Sequence, residues 1–116
     1  MGKEERIEDE TAIMTTDREL LVAAAKAAGM EIDWDGNRAL VCVMFRGHLP
    51  NWHDWNPLAD DGDALRLAVA LNIPVYPYGD ETSTGTVGVV AKNFGSKEEN
   101  TRRAITRAAA MIGGLG

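Results

Sequence analysis

Two histidines, His48 and His53, stand five residues apart in RGHLPNWHDWNPLA, with Asp54 directly after the second and Asp60 close behind. Imidazole nitrogens and carboxylate oxygens are common ligands of divalent ions, and three of them with a fourth donor or a water complete a tetrahedral site. The chemistry this suggests is a metal-dependent enzyme or a small-ligand site using His48, His53, Asp54 and Asp60. The spacing matches no recognised zinc arrangement, such as two histidines four apart on a helix. Loop histidines bonded to backbone are therefore the plainer reading, and neither a metal nor a cofactor is expected.

Asp60, Asp61 and Asp63 precede an apolar periodic run. Carboxylates there accept from the free amides of a helix's first turn and complement its dipole, each contributing about 0.3–1 kcal/mol. A calcium loop beginning at Asp60 would need a glycine at its sixth position and a glutamate at its twelfth, and the sequence supplies neither. Capping accounts for all three aspartates. Ser83 and Ser96 are the only serines; the first sits in the polar run DETSTG and the second begins a helix, so neither occupies a nucleophile elbow. GTVGVV lacks the strand-to-helix setting of a dinucleotide or phosphate loop. Arg102, Arg103 and Arg107 are expected on the solvated side of the last helix.

The tryptophans Trp34, Trp52 and Trp55 outnumber the two Tyr or the two Phe. Trp55, followed by Asn56-Pro57-Leu58, is expected to fold back over the core. Trp52 is expected to remain freer, and an exposed tryptophan is the kind of side chain in which interfaces concentrate their energy. The candidate binding surface is thus the loop carrying Arg46, His48, Trp52, His53 and Asp54.

These side chains need elements to position them. TTDRELLVAAAKAAG carries a capping box, Thr16 with Glu19, then apolar residues at helical spacing and a stop at Gly29. EIDWDGNRALVCVMF predicts two strands, 31–34 and 39–45, about an Asp-Gly turn. A helix is expected over 61–71, ending at Asn72. IPVYPYG reads as a short edge strand, because Pro74 and Pro77 cannot donate to a ladder. DETSTG reads as a turn and TVGVVAKNF as a strand near 85–93. Ser96 with Glu99 opens a final helix with Ala104, Ile105, Ala108, Met111 and Ile112 as its apolar stripe, stopped by Gly113 and Gly114. The order is α-β-β-α-β-β-α: an α+β domain in which a mainly antiparallel sheet of about four strands packs with three helices. The expected boundaries are a disordered acidic segment at 1–14, one domain at 15–113 and a flexible end at 114–116.

With 116 residues, 45% of them hydrophobic and 26% charged, the composition is that of one soluble domain. No apolar run approaches the ~20 residues that cross a bilayer, and MGKEERIEDETAI lacks the apolar stretch of a secretory signal. Cys42, the single cysteine, is expected buried in the apolar run ALVCVMF, and the compartment is expected to be a reducing cytoplasm. A net charge of −6 disfavours direct nucleic-acid binding, which requires cations to replace phosphate counterions. It suits docking to a basic protein surface. Residues 1–13 hold five acids against two bases, −3 of the total. A monomer or weak homodimer is expected; self-association through the edge strand IPVYPYG or the TSTGTVGVV hairpin, as an element of a larger assembly, ranks lower because proline blunts strand edges.

At WNPLADDGDALRLAVALNI, at ENTRRAITRAAAMIG and in the opening DRELLVAAAKAAGMEI, the chain resembles small uncharacterised phage and prophage proteins described as a phage alpha-beta-alpha sandwich domain. The likeness spans most of residues 15–113. Trp55, Asn56, Pro57, Asp61, Asp63, Arg107, Ala108 and Ala109 occupy the positions that carry it. The resemblance implies a phage-encoded accessory protein without established catalytic residues. RALVCVMFRGHLPNWHD is longer than that pattern, and an insertion of this kind is a natural place for a binding surface. The expected function is binding of a host or phage protein with a basic surface, in the host cytoplasm. Inhibition of a host defence complex such as CRISPR-Cas is the anti-defence role this reading names.

Overall fold

The computed structural model describes residues 16–42, 51–78, 81–85 and 89–115. Expectations for residues 1–15 and 116, for Arg46 and His48, and for strand residues beyond Cys42 lie outside these. Among the described residues, three helices and six strands follow the order α1 Asp17–Ala27, β1 Glu31–Asp35, β2 Arg38–Cys42, β3 His53–Asp54, α2 Asp61–Leu71, β4 Val75–Tyr78, β5 Glu81–Thr84, β6 Val90–Lys92 and α3 Lys97–Ile112.

Local chemistry sets the helix ends. At α1 the Thr16 hydroxyl accepts from the Glu19 N–H at 3.1 Å while the Thr16 N–H donates to the Glu19 carboxylate at 3.0 Å. Ser96 and Glu99 repeat the arrangement at α3. All three helices stop in the same way. Met30 N–H reaches Ala25 O and Gly29 N–H reaches Lys26 O; Ile73 and Asn72 do the same for α2, and Leu115 and Gly114 for α3. This paired bonding is the Schellman motif, which needs a left-handed residue after the helix. Gly29, Asn72 and Gly114 supply it, with φ of 74°, 55° and 101°.

The fully exposed Glu99 carboxyl is held below its usual range by hydrogen bonds from the Ser96 N–H and hydroxyl. Because its folded-state value is depressed, the cap contributes fully above the ordinary glutamate value and is lost as pH falls through the lowered one. A carboxyl-resolved NMR titration is expected to give a lower midpoint for Glu99 in the native chain than in Ser96→Ala.

The strands do not form one four-stranded sheet. They form two separate three-stranded antiparallel sheets, ordered β1-β2-β3 and β4-β5-β6. Two stretches expected as turn or loop are strands. In ETST the side chains alternate, so Thr82 and Thr84 face inward at 1% and 3% exposure. Their hydroxyls are satisfied there: Thr82 shares a 2.8 Å hydrogen bond with Thr101, and Thr84 accepts from Val89 N–H at 3.2 Å. Burial of a polar side chain costs little once it is bonded, and β-branched threonine suits a strand. Of the expected strand at 85–93, Val90–Lys92 form β6, and residues 86–88 lie outside the described residues. The second stretch, His53–Asp54, is too short to show a pattern and extends the first sheet by pairing with Leu40 and Val41.

β4 is an edge strand, as its prolines indicate. Gly85 N–H donates to Pro74 O at 3.1 Å, so residues 74, 76 and 78 point their backbone groups at β5 and residues 75 and 77 point theirs outward. Pro77, which has no N–H, therefore falls at an outward position, where it leaves the ladder intact and blunts the free edge.

α3 packs against α1, α2 and the second sheet. A helix covered on several sides buries more than one stripe, and alanine lets the neighbours approach closely. Ala104, Ile105, Thr106, Ala108, Ala109 and Ala110 are all buried, whereas Met111 and Ile112, expected in the stripe, are exposed. Its arginines are less solvated than expected. Arg102 bonds Leu58 O at 2.9 Å and Asp61 at 2.6 Å, and Arg103 bonds Asp17 at 2.6 Å beneath the Phe94 ring. Cys42 is fully buried, and no helix among the described residues is long and apolar enough to cross a membrane.

Candidate functional site

The segment WHDWNPLADDGD leads from the first sheet into α2. Trp55 N–H donates to Ala39 O at 3.1 Å, which continues the β2–β3 ladder and turns the indole into the core at 5% exposure. The chain then folds over on Asn56: its carbonyl accepts from Ala59 and Asp60 N–H, and its side-chain oxygen accepts from Leu58 N–H at 3.1 Å. Asp60 caps α2 by accepting from Asp63 N–H at 2.8 Å. The Asp63 carboxylate, 12% exposed, takes the Asn56 N–H at 2.9 Å and the Arg66 guanidinium at 2.7 Å. These carboxylates hold the turn together.

Asp54 and Asp60 do reach one cleft of about 400 Å³, with Asn37, Arg38, Asn56 and Asp63 on its walls and Trp55 beneath. His53, of the same metal expectation, does not line it. His48 lies outside the described residues. His53 and Asp54 are successive strand residues and project to opposite faces of the sheet. Asp54 is bonded to Arg38 at 3.1 Å and Asp60 to its helix. Among the described residues, no group of three His, Cys, Asp or Glu side chains is placed to hold a metal ion.

Strand alternation assembles a different surface. Ile32, Trp34, Ala39, Val41 and Trp55 face the core. Glu31, Asp33 and Asp35 therefore share the outer face of β1, and register places Arg38 and Asp54 on the same face. All five side chains belong to exposed residues. Arg38 bridges Asp54 and Asp35, the latter at 3.5 Å. Such exposed pairs are worth only about 0.2–1 kcal/mol each, so the arginine neutralises part of the face without contributing much to stability. Leu40 and the buried Cys42 share that face opposite Asp33 and Glu31, and about them four carboxylates and one guanidinium form an acidic surface. Trp52, immediately before β3, is 41% exposed beside it.

Of the residues expected to bind, the structure thus places His53 and Asp54 in one short edge strand with Trp52 directly before it, only Asp54 of the strand pair turning to the acidic face. Glu31, Asp33 and Asp35 were missed, although acids at alternate positions of EIDWD are a legible strand signal. The outer face of the second sheet carries another surface absent from the sequence reading, with Tyr76, Tyr78 and Val90 at 57%, 82% and 46% exposure. No protein-family model, curated protein or solved structure matches this chain.

Proposed function

We propose that this chain acts by binding another protein, presenting the outer face of β1–β2–β3 and Trp52 to a basic surface. The carrying observation is the set Glu31, Asp33, Asp35 and Asp54 on one sheet face, offset by Arg38 alone. Acidic faces steer and orient basic partners, and a neighbouring exposed tryptophan supplies the apolar anchor in which binding energy concentrates. The setting is that of a phage or prophage accessory protein in the host cytoplasm, with a host defence complex such as CRISPR-Cas as the target class.

Charge reversal tests the reading. Retention of partner proteins from a bacterial lysate is expected with the native chain at low salt and is expected to vanish with Glu31→Lys/Asp35→Lys, whose melting temperature should stay close to native because both residues are exposed. Equal retention by the two chains, or none by either, overturns it. Trp52→Ala should likewise leave the melting temperature nearly unchanged while weakening affinity by at least about 2 kcal/mol, on the order of 30-fold.

A metal-dependent or small-ligand role rests on the cleft shared by Asp54 and Asp60. Zinc or manganese bound there would raise the melting temperature by mass action; no shift on adding either ion removes that reading.

A further inference from the structure

We infer that the partner supplies an extended segment of alternating basic and apolar residues, which adds to the first sheet as an antiparallel strand along the free edge of β1. The inference rests on the docking reading above and names the form the basic partner takes. The four strand edges of the two sheets differ in what they offer. β4 has Pro77 at an outward position. β6 has its outward Val90 carbonyl covered by the Arg107 guanidinium at 3.4 Å. β3 is two residues long. β1 is five residues long and paired on one side among the described residues.

The hydrogen-bond parity of β1 follows from its neighbour. Trp55 N–H bonds to Ala39 O, so Ala39 and Val41 direct their backbone groups to β3, and Arg38, Leu40 and Cys42 direct theirs to β1. Their partners Asp35, Asp33 and Glu31 then point inward, leaving Ile32 and Trp34 pointing outward. Trp34 N–H is already held by the Asp33 carboxylate at 2.8 Å. The edge therefore presents an N–H and a carbonyl at Ile32 and a carbonyl at Trp34, a pattern that one antiparallel strand satisfies.

Side chains select which strand. On the outer face an added strand meets Glu31, Asp33 and Asp35, and lysine or arginine there pairs across the strands. On the other face it meets Ile32 and Trp34, the indole covered on one side by the Arg18 guanidinium at 4.0 Å, and valine there packs against Ile32 and the remaining indole edge. A second copy of β1 fails this selection, because in either antiparallel register its own acids fall opposite or diagonal to Glu31, Asp33 and Asp35.

The probe is a fluorescent Lys-Val-Lys-Val-Lys peptide titrated with the native chain at low salt. In the antiparallel arrangement the valine amides point at β1 and the lysine amides point away. N-methylation of both valines is expected to weaken binding at least tenfold, and N-methylation of the lysines to leave it near the parent value. Ile32→Pro, which places in β1 the device found at Pro77, should abolish binding; if that variant does not fold, the methylated peptides decide alone. Equal affinity of both methylated peptides, or loss in both or only in the lysine set, overturns strand addition. The docking reading then stands or falls separately on the charge-reversal experiment. Absence of parent binding also overturns strand addition, and takes the docking reading with it only when charge reversal leaves lysate retention unchanged or absent.

Discussion

Trp55→Ala is expected to lower folding stability by about 3–5 kcal/mol, the range for removing a buried aromatic ring from a packed core. The indole is 5% exposed and belongs to the cluster that joins α1, the first sheet, α2 and α3. Its loss leaves a void where four elements meet, and none of them can close it alone. Trp55 also lines the cleft of about 400 Å³ between the hairpin and the start of α2, which gives water a route to the vacated space. Against a total stability of about 5–15 kcal/mol for a domain, this removes a large share. Urea titration followed by circular dichroism should show an earlier midpoint with a similar slope. A midpoint within error of native would show that the ring is not a core element.

Gly113→Ala should be nearly as damaging, for the opposite reason. Here a single methyl group is added. A Cβ on Gly113 would overlap the carbonyl oxygen of Ala23 in α1 and crowd its carbon. The backbone angle, φ −77°, is one any residue adopts, so the cost comes from packing and not from strain. Because both sides of the contact are backbone, no side chain can rotate away, and the two helices must separate. Overpacking costs about 1–3 kcal/mol, and a backbone clash belongs at the upper end. Glycine at the same helix terminus but with open space, Gly114, provides the comparison: its φ of 101° makes Gly114→Ala strained with nothing crowding the new methyl. Thermal unfolding that ranks Gly114→Ala as the more destabilising of the two would contradict the close approach of α1 and α3.

Much of the helical framework was legible because its determinants are local. Thr16 with Glu19, Ser96 with Glu99, and the stops at Gly29, Asn72 and Gly114 each act over three to six residues, within reach of a reading by spacing. The hairpin at EIDWDGNRAL was legible for the same reason. The division into two sheets was not. Whether β2 pairs onward with His53–Asp54 or with a later strand is decided by contacts the intervening sequence does not encode locally. ETST looked like a turn because its polarity was visible and its burial was not: Thr82 can enter the core only because Thr101, nineteen residues later, meets its hydroxyl. The alternation of β-branched Thr82 and Thr84 with Glu81 and Ser83 is the available sign. At the candidate site, the residue types that stand out in the sequence are His53 and the tryptophans, while the charge that shapes the surface comes from ordinary acids in β1 whose common face depends on strand pairing.

The contact between α1 and α3 has a consequence for the growing chain on the ribosome. Asp17 and Arg103 meet across 86 residues, and α1 packs against α3, the last of these three helices to be made. Until α3 emerges, the first sheet and its helix exist as an uncovered half-domain beside other nascent chains. The hydrogen-bonding edge of β1 is already formed locally at that stage. Like charges opposed across two such edges are unfavourable, so the three carboxylates of β1 disfavour edge-to-edge pairing between copies of the same half-made sheet.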